Sequence, residues 1–151
     1  MSYISVISLE TAKNYLRVDD DLTEDDNSIT SMINAALRHI ENYTNVLVYA
    51  RDKSYDFDDE VLRVYDYPIN NTITADVTSE RKSLYTNYSG SVSLLELNVG
   101  YVDPLEVPDD LIQVALEMID IMYYIQKGGE SKALITPLMQ DILDSNKRFI
   151  I

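Results

Sequence analysis

Asp26-Asn27-Ser28-Ile29-Thr30-Ser31-Met32-Ile33-Asn34-Ala35-Ala36-Leu37-Arg38-His39-Ile40-Glu41-Asn42-Tyr43-Thr44-Asn45 is the stretch that decides the fold. Ile29, Met32, Ile33, Ala36, Leu37, Ile40 and Tyr43 recur at steps of three and four. At about 100° per residue they fill an arc of roughly 140°, the width of a helix lying on one core. Thr23 or Asp25 can cap its start, and Glu24, Asp25 and Asp26 sit where the helix dipole favours negative charge. Asn45 can take the left-handed position that ends it. The spacing predicts a helix over about 24–44.

Upstream, Ser8 can cap a short helix over about 8–17, with Leu9, Ala12 and Leu16 on one face. Downstream, from about 46 to 101, the period changes to two. Tyr, Val, Thr and Leu alternate with polar residues in runs such as Val61-Leu62-Arg63-Val64-Tyr65, separated by Pro68, Asn70-Asn71 and Ser89-Gly90. Such runs predict short antiparallel strands. Pro108 opens a third helix over about 108–127, which Gly128-Gly129 stops, and Thr136-Pro137 starts a fourth over about 137–148. The expected fold is α+β and mainly helical: one domain over 1–151, with four helices and a small antiparallel β insertion between the second and third.

The third helix is unusually apolar. Asp110, Gln113, Glu117, Asp120, Tyr124 and Lys127 occupy an arc of about 100°, leaving roughly 260° of apolar surface where one core needs little more than 100°. Either the other elements wrap this helix, or one flank meets a neighbouring subunit. In the second case Leu116, Ile119, Met122 and Tyr123 are the candidate interface residues.

Composition excludes more than it suggests. Of 151 residues, 26 are acidic and 12 basic, giving a net charge of −14 with no Cys and a single His. Thiol chemistry, disulfides, cysteine-ligated metal and poly-His sites are excluded, and a sequence-blind grip on nucleic-acid phosphates lacks its cations. The start has no basic n-region of a signal peptide. Leu111 to Ile125 is interrupted by Gln113, Glu117 and Asp120, so no membrane contact is expected. Asp19-Asp20-Asp21-Leu22-Thr23-Glu24-Asp25-Asp26 fails as an EF-hand, because Glu24 and Thr30 stand where Gly and Glu are needed. His39 reads as a half-buried, hydrogen-bonded side chain. The twelve tyrosines lack interleaved Arg and Lys, so they read as strand positions rather than base-stacking platforms. No catalytic, cofactor-binding or metal-ligating residue stands out, and no enzyme is expected.

The order of short motifs is more telling. Leu9-Glu10-Thr11-Ala12-Lys13-Asn14-Tyr15-Leu16-Arg17-Val18-Asp19 opens the chain, and Ile40-Glu41-Asn42-Tyr43-Thr44-Asn45 ends the second helix. Val99-Gly100-Tyr101 and then Val107-Pro108-Asp109-Asp110-Leu111 precede the third. Together they resemble the gp6-like head–tail connector (adaptor) family of tailed bacteriophages, with Asn45 where Gly is usual and Gln126-Lys127 in place of Asn-Arg. The resemblance implies a structural virion protein without catalysis, made in the host cytoplasm. It implies a homo-oligomeric, dodecameric ring docked beneath the portal protein, with a downstream neck or tail-completion protein below. DNA would pass through without specific binding. It also implies portal docking by the C-terminal residues Lys147, Arg148, Phe149, Ile150 and Ile151. The alternative is an acidic DNA mimic that binds a host DNA-binding enzyme; its carboxylates should stand in rows, whereas those here cluster at helix starts and turns.

Overall fold

The computed structural model describes residues 1–57 and 60–148. Its helices are α1 (Leu9–Leu16), α2 (Asp26–Thr44), α3 (Asp109–Gln126) and α4 (Pro137–Ser145). Between α2 and α3 lie β1 (Arg51–Asp56), β2 (Val61–Val64), β3 (Ile69–Thr72), β4 (Val77–Arg81), β5 (Thr86–Gly90) and β6 (Leu94–Val99).

Local chemistry sets most boundaries. The Ser8 hydroxyl accepts from the Thr11 N–H at 3.0 Å, and the Thr136 hydroxyl accepts from the Met139 N–H at 3.3 Å with Pro137 at the first helical position. Asn45 ends α2 at φ 58°, the left-handed geometry its side chain tolerates. The start of α2 differs from expectation, because Asp25 makes no capping bond. Its carboxylate instead accepts from the Tyr123 hydroxyl at 2.9 Å and lies 2.6 Å from the Lys127 ammonium. These partners, the Lys127 hydrogen bond foremost, hold the Asp25 carboxyl below its ordinary range.

The helices bury one core, including Ile7, Ile29, Ile33, Leu37, Ile40, Leu111, Val114, Met118, Ile119, Met139 and Leu143. On α2 these are the positions the helical period selects.

The β region corrects the sequence expectation. The chain is α+β, but the insertion is not small: six strands form two three-stranded antiparallel sheets, ordered β1-β6-β3 and β2-β5-β4. The sheets share a second core of Leu47, Phe57, Val64, Tyr88, Leu95, Leu97 and Val99. On β6, Leu95, Leu97 and Val99 point inward while Leu94 and Glu96 are exposed. β4 carries no alternating signal in the sequence, because Thr78, Ser79, Glu80 and Arg81 all face solvent. Residues 73–76 make the turn between β3 and β4, with Asp76 at φ 62°. Ser89 and Gly90 are the last two residues of β5 rather than a turn.

One segment stitches the two cores together. Val46 and Val48 enter the helical core, whereas Leu47 between them enters the sheet core. The Leu47 N–H donates to Tyr67 C=O at 2.7 Å, and Leu47 C=O accepts from the Tyr101 N–H at 3.1 Å. The Gly100 N–H donates to Pro68 C=O at 2.8 Å. Gly100 sits at φ 103°, and a Cβ there would lie 2.0 Å from the Tyr49 carbonyl oxygen, so only glycine fits.

Candidate assembly surfaces

The family-like motifs turn out to brace the frame. Glu41 is buried and receives the Val48 N–H at 2.9 Å, both Arg51 guanidinium ends at 3.0 and 2.7 Å, and the Tyr3 hydroxyl at 2.7 Å. A buried carboxylate with this many donors is the arrangement that offsets its desolvation. Burial, followed by the hydrogen bond to Glu41, pushes the Tyr3 phenol up to about 12. Lys13 is equally buried, and its ammonium donates to the carbonyls of Asp20 and Leu22, both at 2.8 Å, and to the Asp26 carboxylate at 3.0 Å. The acidic gap between α1 and α2 is therefore a braced turn.

The apolar third helix is covered unevenly. Leu111, Val114, Ala115, Leu116, Met118 and Ile119 are buried. Beyond them Ile121, Met122 and Tyr123 are half-buried, and Tyr124 and Ile125 are exposed at 45% and 38%. Leu138 of α4 is exposed at 65%. Of the sequence-derived interface candidates, Leu116 and Ile119 thus lie inside the chain's own core, while Met122 and Tyr123 sit at its margin. Tyr124 falls in the polar arc of α3 and Leu138 in a short helix, so the sequence carries no interface signal at either.

At the C-terminal end, Lys147 and Arg148 fold back onto the joint between α2 and the sheets. The Arg148 N–H donates to Thr44 C=O at 2.8 Å, its guanidinium donates to Ser83 C=O at 2.9 Å, and the same group lies 4.3 Å from the Tyr67 ring centroid. The Lys147 ammonium lies 4.5 Å from the Tyr43 ring centroid. Phe149, Ile150 and Ile151, the remaining docking candidates, fall outside the described residues. Nearby, the Tyr43 hydroxyl donates to Asp144 at 2.5 Å, and this bond first, then one from Gln140, holds the Asp144 carboxyl below its usual range.

Cations and tyrosines, some close in sequence and some far apart, meet in the fold. Arg51, Lys53, Arg63, Lys127, Lys132, Lys147 and Arg148 each lie over a tyrosine ring. Arg51 on Tyr49 and Lys53 on Tyr55 are two residues apart, a spacing legible from a strand; Arg148 on Tyr67 has no local signal. His39 is half-buried and stacked on Tyr43, but its Nε2 has no hydrogen-bond partner among the described residues, contrary to the expected bonded histidine. Among the described residues no group of three or more His, Cys, Asp or Glu could hold a metal ion. No described helix is long and apolar enough to cross a membrane.

Known proteins sharpen this picture. A chain in the neck of an empty gene transfer agent particle, computed with C6 symmetry, superposes with a TM-score of 0.76 at 12% identity, covering 97% of this chain and 92% of that one. A chain in the virion of the native gene transfer agent particle gives 0.72 at 12% identity, covering 100% and 94%. At such identity these likenesses establish a shared fold. No curated protein sequence matches significantly. The phage gp6-like head-tail connector protein family matches residues 6–140, from the start of the helical core into α4. The chain therefore belongs to the gp6-like head–tail connector family, a structural component of the tailed-phage virion.

Proposed function

We propose that this protein is the subunit of a ring at the head–tail junction, docked beneath the portal and extending the DNA channel towards the tail. The family match across residues 6–140 carries the reading. Two features support it. The margin of α3 and α4 leaves Tyr124, Ile125 and Leu138 exposed, an apolar strip that a neighbouring protein would cover. The similar neck was computed with C6 symmetry, with which twelve copies are compatible. The whole chain, 1–151, acts as one domain, and no catalytic step is assigned to it. Lys147 and the three residues after Arg148 serve the portal contact, Arg148 itself being held on Ser83 and Tyr67, and Met122 and Tyr123 serve subunit packing. Below the ring a further neck protein docks. A charge of −14 per subunit, multiplied around a channel, repels DNA phosphates and lets the genome pass without sticking. The DNA-mimic alternative gains nothing from the fold: Asp25, Asp26, Glu41 and Asp66 are each ion-paired within the chain.

Mass measurement and negative-stain imaging, with and without purified portal, test this reading. Rings, alone or on the portal, are expected; a strict monomer that never associates with portal rejects it. Deleting Phe149 to Ile151 is expected to weaken portal attachment while circular dichroism stays unchanged.

A further inference from the structure

Arg63, Arg81 and Arg148 have no carboxylate partner among the described residues, in a chain where acids outnumber bases 26 to 12. The fold gathers them at a cleft of about 230 Å³ between the two sheets, lined by Tyr65, Ile69, Arg81, Lys82, Leu84 and Arg148. Arg63 stands beside it, 5.4 Å from the centroid of the Tyr85 ring, which also lines the cleft. Asp66 also lines the cleft and Glu80 lies near it, and both are occupied: Asp66 by Lys53 and Tyr55, Glu80 by Lys82. The Arg148 Nε is buried without a hydrogen-bond partner among the described residues. The rings of Tyr67 and Tyr85 carry Arg148 and Arg63, and Tyr65 packs against Tyr85 with ring centroids 5.6 Å apart. The cleft has the size for one or two side chains and the charge for a carboxylate.

An acidic knob of matching character lies at the far end of α2. Residues 19–24 are all exposed, with Leu22 at 56% among Asp19, Asp20, Asp21 and Glu24. Lys13 braces this turn through the carbonyls of Asp20 and Leu22, and the Leu22 N–H donates to Asp19 C=O at 3.0 Å. The knob leads into Asp26, whereas Arg148 is bonded to Thr44 at the other end of the helix. A helix of that length separates them by roughly 27 Å, so they do not meet within one copy.

We propose that the acidic turn of one copy docks in the cleft of the next, Leu22 against the apolar wall and the carboxylates on Arg81, Arg148 and Arg63. This rests on the ring reading and deepens it. Two different complementary patches at opposite ends of a subunit make a head-to-tail contact, which closes into a ring when the rotation permits.

The cysteine-free chain makes the test clean. Thr23→Cys and Ser83→Cys are mild changes at exposed positions beside the knob and the cleft. The two single variants are mixed and oxidised in the same samples imaged for rings. A mixed disulfide dimer is expected at about ten times the yield of Thr23→Cys paired with Ser131→Cys. Adding Arg81→Glu and Lys82→Glu to the Ser83→Cys chain should lower that yield about tenfold, and Asp19→Lys with Asp21→Lys on the other chain should restore it. Rings with no mixed dimer above the control overturn the docking and leave the ring reading intact. Neither rings nor mixed dimers overturn both, and mixed dimers in open chains support the docking while rejecting closure.

Discussion

The two cores of this chain are built differently. The helical core draws Ile7, Leu37, Val114 and Leu143 from nearly the whole sequence, whereas the sheet core takes every member from Leu47 to Val99. The first holds four helices in a frame, and the second is local in sequence and fastened to that frame through Val46 to Val48, Pro68, Gly100 and Arg148. Distributed burial makes a rigid body, while local burial makes an appendage whose behaviour depends on its joint.

The largest test of that contrast is a pair of truncations. Leu37→Ala and Leu97→Ala each empty a fully buried site and are expected to cost about 3 kcal/mol, read from denaturant midpoints. For one cooperative domain, both variants lower a single transition, and amide protection falls in both regions. If Leu97→Ala strips protection only between residues 51 and 99, the sheets unfold as a separate unit and the one-domain reading fails.

A smaller effect probes the joint. Glu41→Gln keeps the side-chain volume but leaves Arg51 and Tyr3 without their anion. The expected loss is about 2 kcal/mol, towards the low end because Arg51 retains some water contact. A loss below about 0.5 kcal/mol would show that the carboxylate does not tie β1 to α2.

The smallest effect is a pH dependence. The folded state raises the Tyr3 phenol to about 12, so it holds the proton more tightly than the unfolded chain. That stabilisation is complete below pH of about 10 and is lost as pH rises through the folded value. Tyr3→Phe is expected to cost about 1 kcal/mol at neutral pH and to flatten the alkaline fall in stability between pH of roughly 10 and 12. An unchanged alkaline profile would remove Tyr3 from the joint.

Much of the helical frame was legible. The α2 face, the Ser8 and Thr136 caps and the left-handed Asn45 follow from local rules, because each depends on residues within four positions. The strands were partly legible: β6 alternates and β4 does not, since all but the first of its side chains face water. Of the assembly surfaces, the excess apolarity of α3 was visible, but not which end stays uncovered. That depends on where α1, α2 and α4 end against it. The cleft left no trace in the sequence, as its arginines come from β2, β4 and the C-terminal segment.

By itself the sequence determined the four helices, the change of period after Asn45, the absence of thiol chemistry and the motif order that marks the family. Each is a property of neighbouring residues or of composition. Only the tertiary structure decided that the strands form two sheets around their own core, that Lys13 and Glu41 are buried hubs, and that Arg81 and Arg148 line one cleft with Arg63 beside it. Burial and ion pairing are settled by what packs against a side chain, and here those neighbours lie as far apart as Arg148 and Tyr67.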